Sequence, residues 1–356
     1  MPAIESVSSD EGPVDLPVGK IVSKRWMILK KIGEGGCGSV YIVQDRETKK
    51  KYALKAESNF TTAGAVLKLE VEILRRLGGK RKNFGQLIHA GKRVNYSYMV
   101  MTLFGPSLSK LLHRLKRPCS ISTQTRIGIQ LLHCIKTLHE LGYIHRDVKP
   151  SNLAIGRHGS ATRVIFMLDF GLAREFVRRE NGRVLMRRPR AETLFRGTTR
   201  YCSINTHNHN DQSRVDDLWS MMYVLIELRG ALPWQNFKDK KEVLRIKSTT
   251  SDAQLLFNSP VKLLNIINHL RTLNYFTRPN YFFIYRCLLD IMNDGNFKWT
   301  APYDWEPRLS RTFERLIPHS TRSTTDSSDV VHEPSSKETS QFPYTDSDFA
   351  SCELGF

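Results

Sequence analysis

Short runs of β-type residues cover Trp26 to Ile32, Ser39 to Gln44 and Lys51 to Lys55, and a glycine-rich turn and a charged turn separate them. Runs of this kind bounded by turns predict strands, so the chain opens on a β-meander. From Ala65 to Leu77 the apolar residues recur at helical spacing, and Gly78-Gly79 closes the predicted helix. Two more strand-like runs surround Leu87-Ile88 and Tyr96 to Met101. After Gly105-Pro106 the pattern turns mainly helical, beginning with Ser122 to Leu141, where Ile127, Leu131, Ile135 and Leu138 share a face before Gly142. The predicted fold class is α+β. A small β-rich lobe of about residues 24–101 joins, through Thr102 to Pro106, a larger helical lobe of about residues 107–307, and a ligand is expected in the cleft between them.

Residues 1–19 and 318–356 are rich in Ser, Pro and acids and show no periodicity, so both ends are expected to be disordered. Deleting 318–356 is accordingly expected to leave activity on short peptides intact. The 356 residues are 40% apolar and 25% charged, the balance of a folded chain. No apolar run approaches the roughly 18–20 residues of a spanning helix, and the start lacks a signal-peptide pattern. The expected compartment is the cytoplasm, with the nucleus also open. The six cysteines have no Cys-x-x-Cys spacing and read as reduced thiols, and the eleven histidines suggest no metal site.

Charge changes the picture. Removing the −4 of residues 1–19 and the −5 of residues 318–356 from the total of +19 leaves +28 on the body, which points to an acidic partner. Nucleic acid is disfavoured, because no aromatic-interleaved basic stretch or helix-turn-helix pattern accompanies the charge.

Gly33-Glu34-Gly35-Gly36-Cys37-Gly38-Ser39-Val40 joins two predicted strands, and Gly33, Gly35 and Gly38 would let the backbone turn tightly against phosphate oxygens. Seventeen residues after Gly38, Lys55 lies in an otherwise apolar strand, where its charge needs a partner. Glu70 shares a helix face with Val66, Ile73, Leu74 and Leu77 and is assigned to Lys55. Glu72, four residues from Lys68 and from Arg76, reads as a surface ion pair. His145-Arg146-Asp147-Val148-Lys149-Pro150-Ser151-Asn152 follows the long helix, and Asp169-Phe170-Gly171 follows the apolar run Val164 to Leu168. His145 is expected to be a structural, hydrogen-bonded histidine, and Cys37 an inert thiol.

In order and spacing these segments resemble the signature set of the eukaryotic protein kinases, which implies a two-lobed fold with ATP and Mg²⁺ as cofactors. The resemblance makes Asp147 the residue that orients the acceptor hydroxyl, Lys149 the one that steadies the transferring phosphoryl group, and Asn152 and Asp169 the metal ligands. It places Ile32, Gly33, Gly35, Gly38, Val40, Ala53, Lys55, Met101 (the gatekeeper), Thr102, Phe104 and Ala154 around the nucleotide. Ala154 stands where a larger side chain is common, implying a roomier adenine pocket. Leu103 to Leu108, Gly197-Thr198-Thr199-Arg200-Tyr201 running into Cys202-Ser203-Ile204-Asn205, and Asp216-Asp217-Leu218 are similar to the casein kinase 1 superfamily. Lys149-Pro150-Ser151-Asn152, Arg187-Arg188-Pro189-Arg190, Leu232-Pro233-Trp234 and Leu273 to Pro279 look most like its tau-tubulin kinase branch, over about residues 24–307.

Asn205 replaces the Glu that most kinases use to anchor the activation segment, so that segment must be held otherwise. Thr198 matches a family threonine that contacts the catalytic Asp and Lys, and constitutive activity is implied. Between Arg174 and Arg200 nine arginines face three glutamates. With Thr198, Arg196 and Arg200 as substrate contacts, this predicts a preference for Ser or Thr beside acidic or phosphorylated residues. Cytoskeletal proteins enter as substrates by family name alone. The rival readings are a pseudokinase scaffold that binds nucleotide or partners without turnover, and a nucleic-acid-binding module.

Overall fold

The computed structural model describes residues 13–35, 38–60, 66–78, 82–306 and 343–356, and they divide into two compact units. Residues up to Phe104, together with Asp169–Gly171, form the first, and Gly105–Leu168 with Leu172–Phe356 form the second. The division falls inside the predicted Thr102 to Pro106 junction.

In the first unit the meander forms β1 (Ile21–Val22), β2 (Trp26–Gly35), β3 (Gly38–Asp45) and β4 (Lys51–Ser58). Helix α1 (Val66–Leu77) follows, then β5 (Leu87–Lys92) and β6 (Tyr96–Met101). The six strands make one antiparallel sheet in the order β1-β2-β3-β4-β6-β5. One face buries Trp26, Ile28, Tyr41, Val43, Leu54, Tyr98 and Val100. Helix α1 buries Leu67, Glu70, Val71, Ile73, Leu74 and Leu77 on one stripe.

The second unit is mainly helical. It contains α2 (Leu108–Leu115), α3 (Ile121–Glu140), α4 (Ile204–His207), α5 (Arg214–Arg229), α6 (Lys240–Thr249), α7 (Asp252–Leu255), α8 (Leu263–Arg271), α9 (Tyr281–Asp294) and α10 (Asp346–Ala350). Ser120 caps α3 by accepting the Thr123 amide, and α3 is buried almost all round, as a helix at the centre of a domain must be. Short ribbons interrupt the helices: β7 (Tyr143–Ile144) pairs with β10 (Arg174–Glu175), β8 (Leu153–Ile155) with β9 (Ile165–Met167), and β11 (Val177–Glu180) with β12 (Arg183–Met186).

Two expectations need correction. Within the N-terminal segment expected to be disordered, residues 13–19 are packed: Leu16 is buried, its amide donates to Tyr41 Oη at 3.0 Å, and Tyr41 Oη donates to the Val14 carbonyl at 2.7 Å. Within 318–356, residues 343–356 form α10 and flanking turns, and Tyr344 and Phe349 are buried. Both segments are too short to show a period, and each is ordered by apolar side chains that fill gaps in a surface made elsewhere in the sequence. Residues 1–12 and 318–342 lie outside the described residues, as do Gly36, Cys37, Ala65 and Gly79, so the inert-thiol reading of Cys37 does too. Among the described residues no helix is long and apolar enough to cross a membrane, and the five cysteines are all free thiols.

Candidate active site

In the first unit the glycine-rich segment is the β2–β3 hairpin, with Gly33 opposite Val40 and Gly35 opposite Gly38. Gly38 has φ +102°, and a Cβ there would fall 2.2 Å from the Ala56 carbonyl oxygen, so only glycine lets β3 lie this close to β4. Register then places Val40 beside Lys55, Ile42 beside Ala53, and Ala53 beside Met101. Ile32 is exposed on β2, and Val40 is half-buried. The Thr102 amide is committed to the Gln86 carbonyl at 3.1 Å, and Thr102 Oγ1 accepts the Gln86 amide at 2.9 Å. Of the two main-chain groups of Thr102, its carbonyl is therefore the one suited to an adenine amino group. Phe104 ends the unit, against Gly85.

Lys55 is buried in β4, and its ammonium bonds Glu70 and reaches Asp169 Oδ1 at 3.3 Å. Burial lifts the Glu70 carboxyl to about 7; Lys55 offsets part of this and Asp169 adds to it. The facing argument thus selects the right carboxylate, since Glu72 is exposed. Asp169 has φ +61°, unusual for a non-glycine residue, and its Oδ1 also accepts the Gly171 amide at 3.4 Å. Phe170 beside it is buried near Phe84, their ring centroids 6.2 Å apart.

In the second unit β7 delivers His145, Arg146 and Asp147. Arg146 has φ +68°, and two bonds to one buried carboxylate hold that conformation: Asp217 Oδ2 accepts the His145 amide at 2.7 Å and Oδ1 the Arg146 amide at 2.8 Å. His139 Nε2 lies 2.9 Å from the same Oδ2, and its Nδ1 lies 2.7 Å from Tyr281 Oη. Burial works against the Asp217 carboxylate, yet the bonds from His139 and His145 hold its pKa below the ordinary value. His145 is structural, as expected: it accepts the Asp147 amide at Nδ1, 3.2 Å away, and its Nε2 faces the Leu168 carbonyl at 3.1 Å.

The Asp147 carboxylate is gripped on both oxygens. Thr198 Oγ1 donates to Oδ1 at 2.7 Å, Lys149 Nζ lies 2.6 Å from Oδ2, and Lys149 also donates to Thr198 Oγ1 at 3.0 Å. Asn152 Nδ2 donates to the Asp147 carbonyl at 3.0 Å and to Oδ2 at 3.2 Å. That orientation turns its Oδ1, a hard oxygen, away from Asp147. It is an oxygen of the kind Mg²⁺ takes, and so, in the first unit, is the Asp169 carboxylate. Among the described residues no three His, Cys, Asp or Glu side chains form a metal cluster of their own. Ala154 is buried in β8.

The activation segment is anchored without the usual glutamate. Asn205 Nδ2 donates to Asp216 Oδ1 and Oδ2 at 3.2 and 3.4 Å, Ser203 Oγ donates to Asp216 Oδ1 at 2.5 Å, and Ser213 gives its amide to Oδ2 at 2.6 Å. Lys247, buried on α6, donates to the carbonyls of Thr199 and Cys202 at 2.8 and 2.6 Å. Burial drives its pKa down to about 8. Gly197, at φ +116°, passes so close to the Arg146 carbonyl that a Cβ would lie 2.6 Å from it. Arg174 and Arg190 share Asp211.

Of the proposed substrate contacts, Arg196 and Arg200 are both exposed, and Arg200 also bonds Glu227 at 3.2 Å and the Gln235 carbonyl at 3.1 Å. Arg174, Arg178, Arg187 and Arg188 line an open cavity of about 550 Å³. Asp217, Asp216 and Lys247 carry structural roles that motif reading did not give them. The β11–β12 hairpin was also missed, although its signal, Asn181-Gly182 between β-type residues, is a turn pair with both φ positive, at +48° and +75°.

The protein kinase domain family matches residues 26–290. A putative serine/threonine-protein kinase of Caenorhabditis elegans is 45% identical over 304 residues, 85% of this chain and 88% of that one. A probable serine/threonine-protein kinase of Dictyostelium discoideum is 38% identical over 295 residues, 82% of this chain and 59% of that one. An inactive tau-tubulin kinase of C. elegans is 36% identical over 250 residues, 67% of this chain and 86% of that one.

Proposed function

Because the chain belongs to the protein kinase family and is a protein serine/threonine kinase, we propose that it is an active, ATP-dependent enzyme of the tau-tubulin branch of the casein kinase 1 superfamily, working constitutively on acidic or phosphorylated protein substrates. The observation that carries this reading is the Asp147 carboxylate, fixed by Thr198, Lys149 and Asn152 as a group that receives an acceptor hydroxyl must be. The serine or threonine oxygen bonds to the γ-phosphorus as the bond to the β,γ-bridging oxygen breaks, ADP leaves, and the hydroxyl proton passes toward Asp147. Lys149 neutralises charge on the moving phosphoryl group. Lys55, held by Glu70, does the same for the phosphates of the bound nucleotide, whose adenine would meet Ala53, Met101, Thr102, Phe104 and Ala154. Asp169 and Asn152 would hold Mg²⁺, which supplies further neutralisation at the phosphates.

Constitutive activity is supported by the bonds that Asp216, Lys247 and Asp211 make to the activation segment. Acidic preference is supported by Arg179, Arg183, Arg188 and Arg196, for which no carboxylate partner is found among the described residues, and by the +28 body. Cytoskeletal substrates rest on resemblance alone, and the cytoplasmic setting stays an expectation from the sequence. A pseudokinase remains the second reading, because a relative is named inactive. Against it, Lys55, Glu70, Asp147, Lys149, Asn152 and Asp169 are all in place, and the Lys55–Glu70 pair is formed.

The test is phosphate incorporation from ATP into a degenerate peptide library by purified protein, with Asp169→Asn as control. Turnover by the wild type and its loss in the control are expected, with enrichment of acidic or phosphorylated flanking residues that weakens in Arg196→Ala combined with Arg200→Ala. No turnover, or equal turnover in the control, overturns the enzyme reading, and enrichment of basic flanks overturns the substrate reading.

A further inference from the structure

Residues 343–356 cross the helical unit as a strap. At its start Tyr344 lies against His133 and Trp299, with ring centroids 5.0 and 5.7 Å away, and Phe349 stacks on Tyr285 at 4.2 Å. In its middle Lys136, buried on α3, donates to Ser351 Oγ at 2.9 Å, and Arg278 donates to the Ser351 carbonyl at 2.8 Å. Glu140, also buried, accepts the amides of Glu353 and Leu354 at 2.6 and 3.2 Å and pairs with Arg278 at 2.7 Å. A buried carboxylate that binds main-chain amides fixes the path of the backbone, whatever the side chains there.

That path leads to the machinery. Leu354 and Phe356 pack on the buried cluster of Ile144, Phe176 and Val177, together with Val184 and Met186. Ile144 immediately precedes the catalytic loop. Phe176 and Val177 begin the activation-segment hairpin, and Val184 and Met186 belong to its return strand. Arg214, at the start of the helix that carries Asp217, is sandwiched here: its guanidinium lies 5.1 Å from the Phe176 ring and 5.8 Å from the Phe356 ring, and it donates to the Phe356 main-chain oxygen at 3.1 Å. The β11–β12 hairpin has only two strands, too few to be stable alone in water, so it needs an apolar face to lie on. The strap supplies part of that face.

We propose that Leu354 and Phe356 are positioning residues for phosphoryl transfer, acting through the Phe176–Met186 hairpin to hold the activation segment in the geometry that receives protein substrate. This rests on the kinase activity proposed above. It reverses the expectation that the C-terminal segment is dispensable, since the segment closes the apolar base of the activation segment.

The test compares full-length wild type, Leu354→Ala with Phe356→Ala, Phe356→Leu and Asp169→Asn. Hydrogen exchange is read over residues 176–190, and KM and kcat are measured for peptide and for ATP. In the double variant the hairpin amides should exchange about tenfold faster and peptide kcat/KM should fall about three- to tenfold, with the ATP KM unchanged. Phe356→Leu, which keeps an apolar filler, should recover most of both. Unchanged exchange, or a loss of turnover without faster hairpin exchange, overturns the proposal. So does a parallel rise in the ATP KM, the mark of general loosening. If the wild type shows no turnover, the kinase reading and the catalytic role fail together, and the exchange data still report whether the strap holds the hairpin.

Discussion

Replacing Asp217 by Asn should disable the enzyme without touching any group that meets substrate. The Asp217 side chain is 1% exposed and accepts three hydrogen bonds, from the Arg146 amide, the His145 amide and His139. An asparagine oxygen can keep the two bonds on the Oδ2 side, but its amide nitrogen then meets the Arg146 N–H donor to donor. One buried donor left unpaired costs about 1–3 kcal/mol, and loss of the charge that strengthens the remaining bonds adds to it, giving about 2–4 kcal/mol. That exceeds the roughly 1 kcal/mol or more by which the left-handed Arg146 backbone, φ +68°, is disfavoured. The catalytic loop should therefore relax and carry Asp147 out of register. At 1.36 kcal/mol per tenfold, kcat should fall about thirtyfold to nearly a thousandfold. Lys55 and Glu70 hold each other within the first unit, so the ATP KM should stay within about twofold. Steady-state kinetics and thermal unfolding, read together, check both effects, with the midpoint expected to drop about 5–10 °C. A variant with kcat within twofold of wild type would refute the claim that Asp217 holds the loop.

Glu70→Gln should lower kcat/KM about tenfold to a hundredfold, since it leaves the buried Lys55 without its carboxylate, while Glu72→Gln on the exposed face stays within twofold; equal losses would count against the assignment. The Arg25 bonds to Asp45 at 2.7 and 3.1 Å hold the Asp45 carboxyl down at about 2, below its value in an unfolded chain. Stability from this pair should be complete above pH 4 and vanish as pH falls through 2, so the gap between wild type and Asp45→Asn in urea unfolding should close over that range, and a gap independent of pH would contradict it.

Where local pattern decides the structure, the sequence was readable. The β-type runs at Trp26 to Ile32 and Ser39 to Gln44 return as β2 and β3, and the stripe that placed Glu70 inward is the one α1 buries. The glycines of the phosphate hairpin could be placed because Gly38 has a steric reason to be glycine. Groups that act across long stretches of chain were not readable. Asp217 lies 71 residues from the Arg146 amide it holds, Lys247 lies 48 residues from Thr199, and Glu140 lies 214 residues from Leu354. Nothing in the neighbourhood of any of these residues encodes its partner. Arg200 is a mixed case. Family position made it a substrate contact, and the structure adds partners for it, Glu227 and the Gln235 carbonyl, that its sequence neighbours do not indicate.

The missing glutamate at Asn205 shows how such long-range contacts combine. An ion pair at that position would fix the segment's end with one strong contact. Here the neutral Asn205 amide and the Ser203 hydroxyl converge on Asp216, a carboxylate whose pKa burial pushes up. Each such bond to a charged acceptor contributes about 1.5–3 kcal/mol when buried, so the set can match a single ion pair. It cannot reach the other end of the segment. That end is held by β10 against β7, by Asp211 between Arg174 and Arg190, and by the apolar bed under the hairpin to which Leu354 and Phe356 contribute. The proposed constitutive activity rests on anchors distributed in this way, and loosening any one of them should lower activity by degrees.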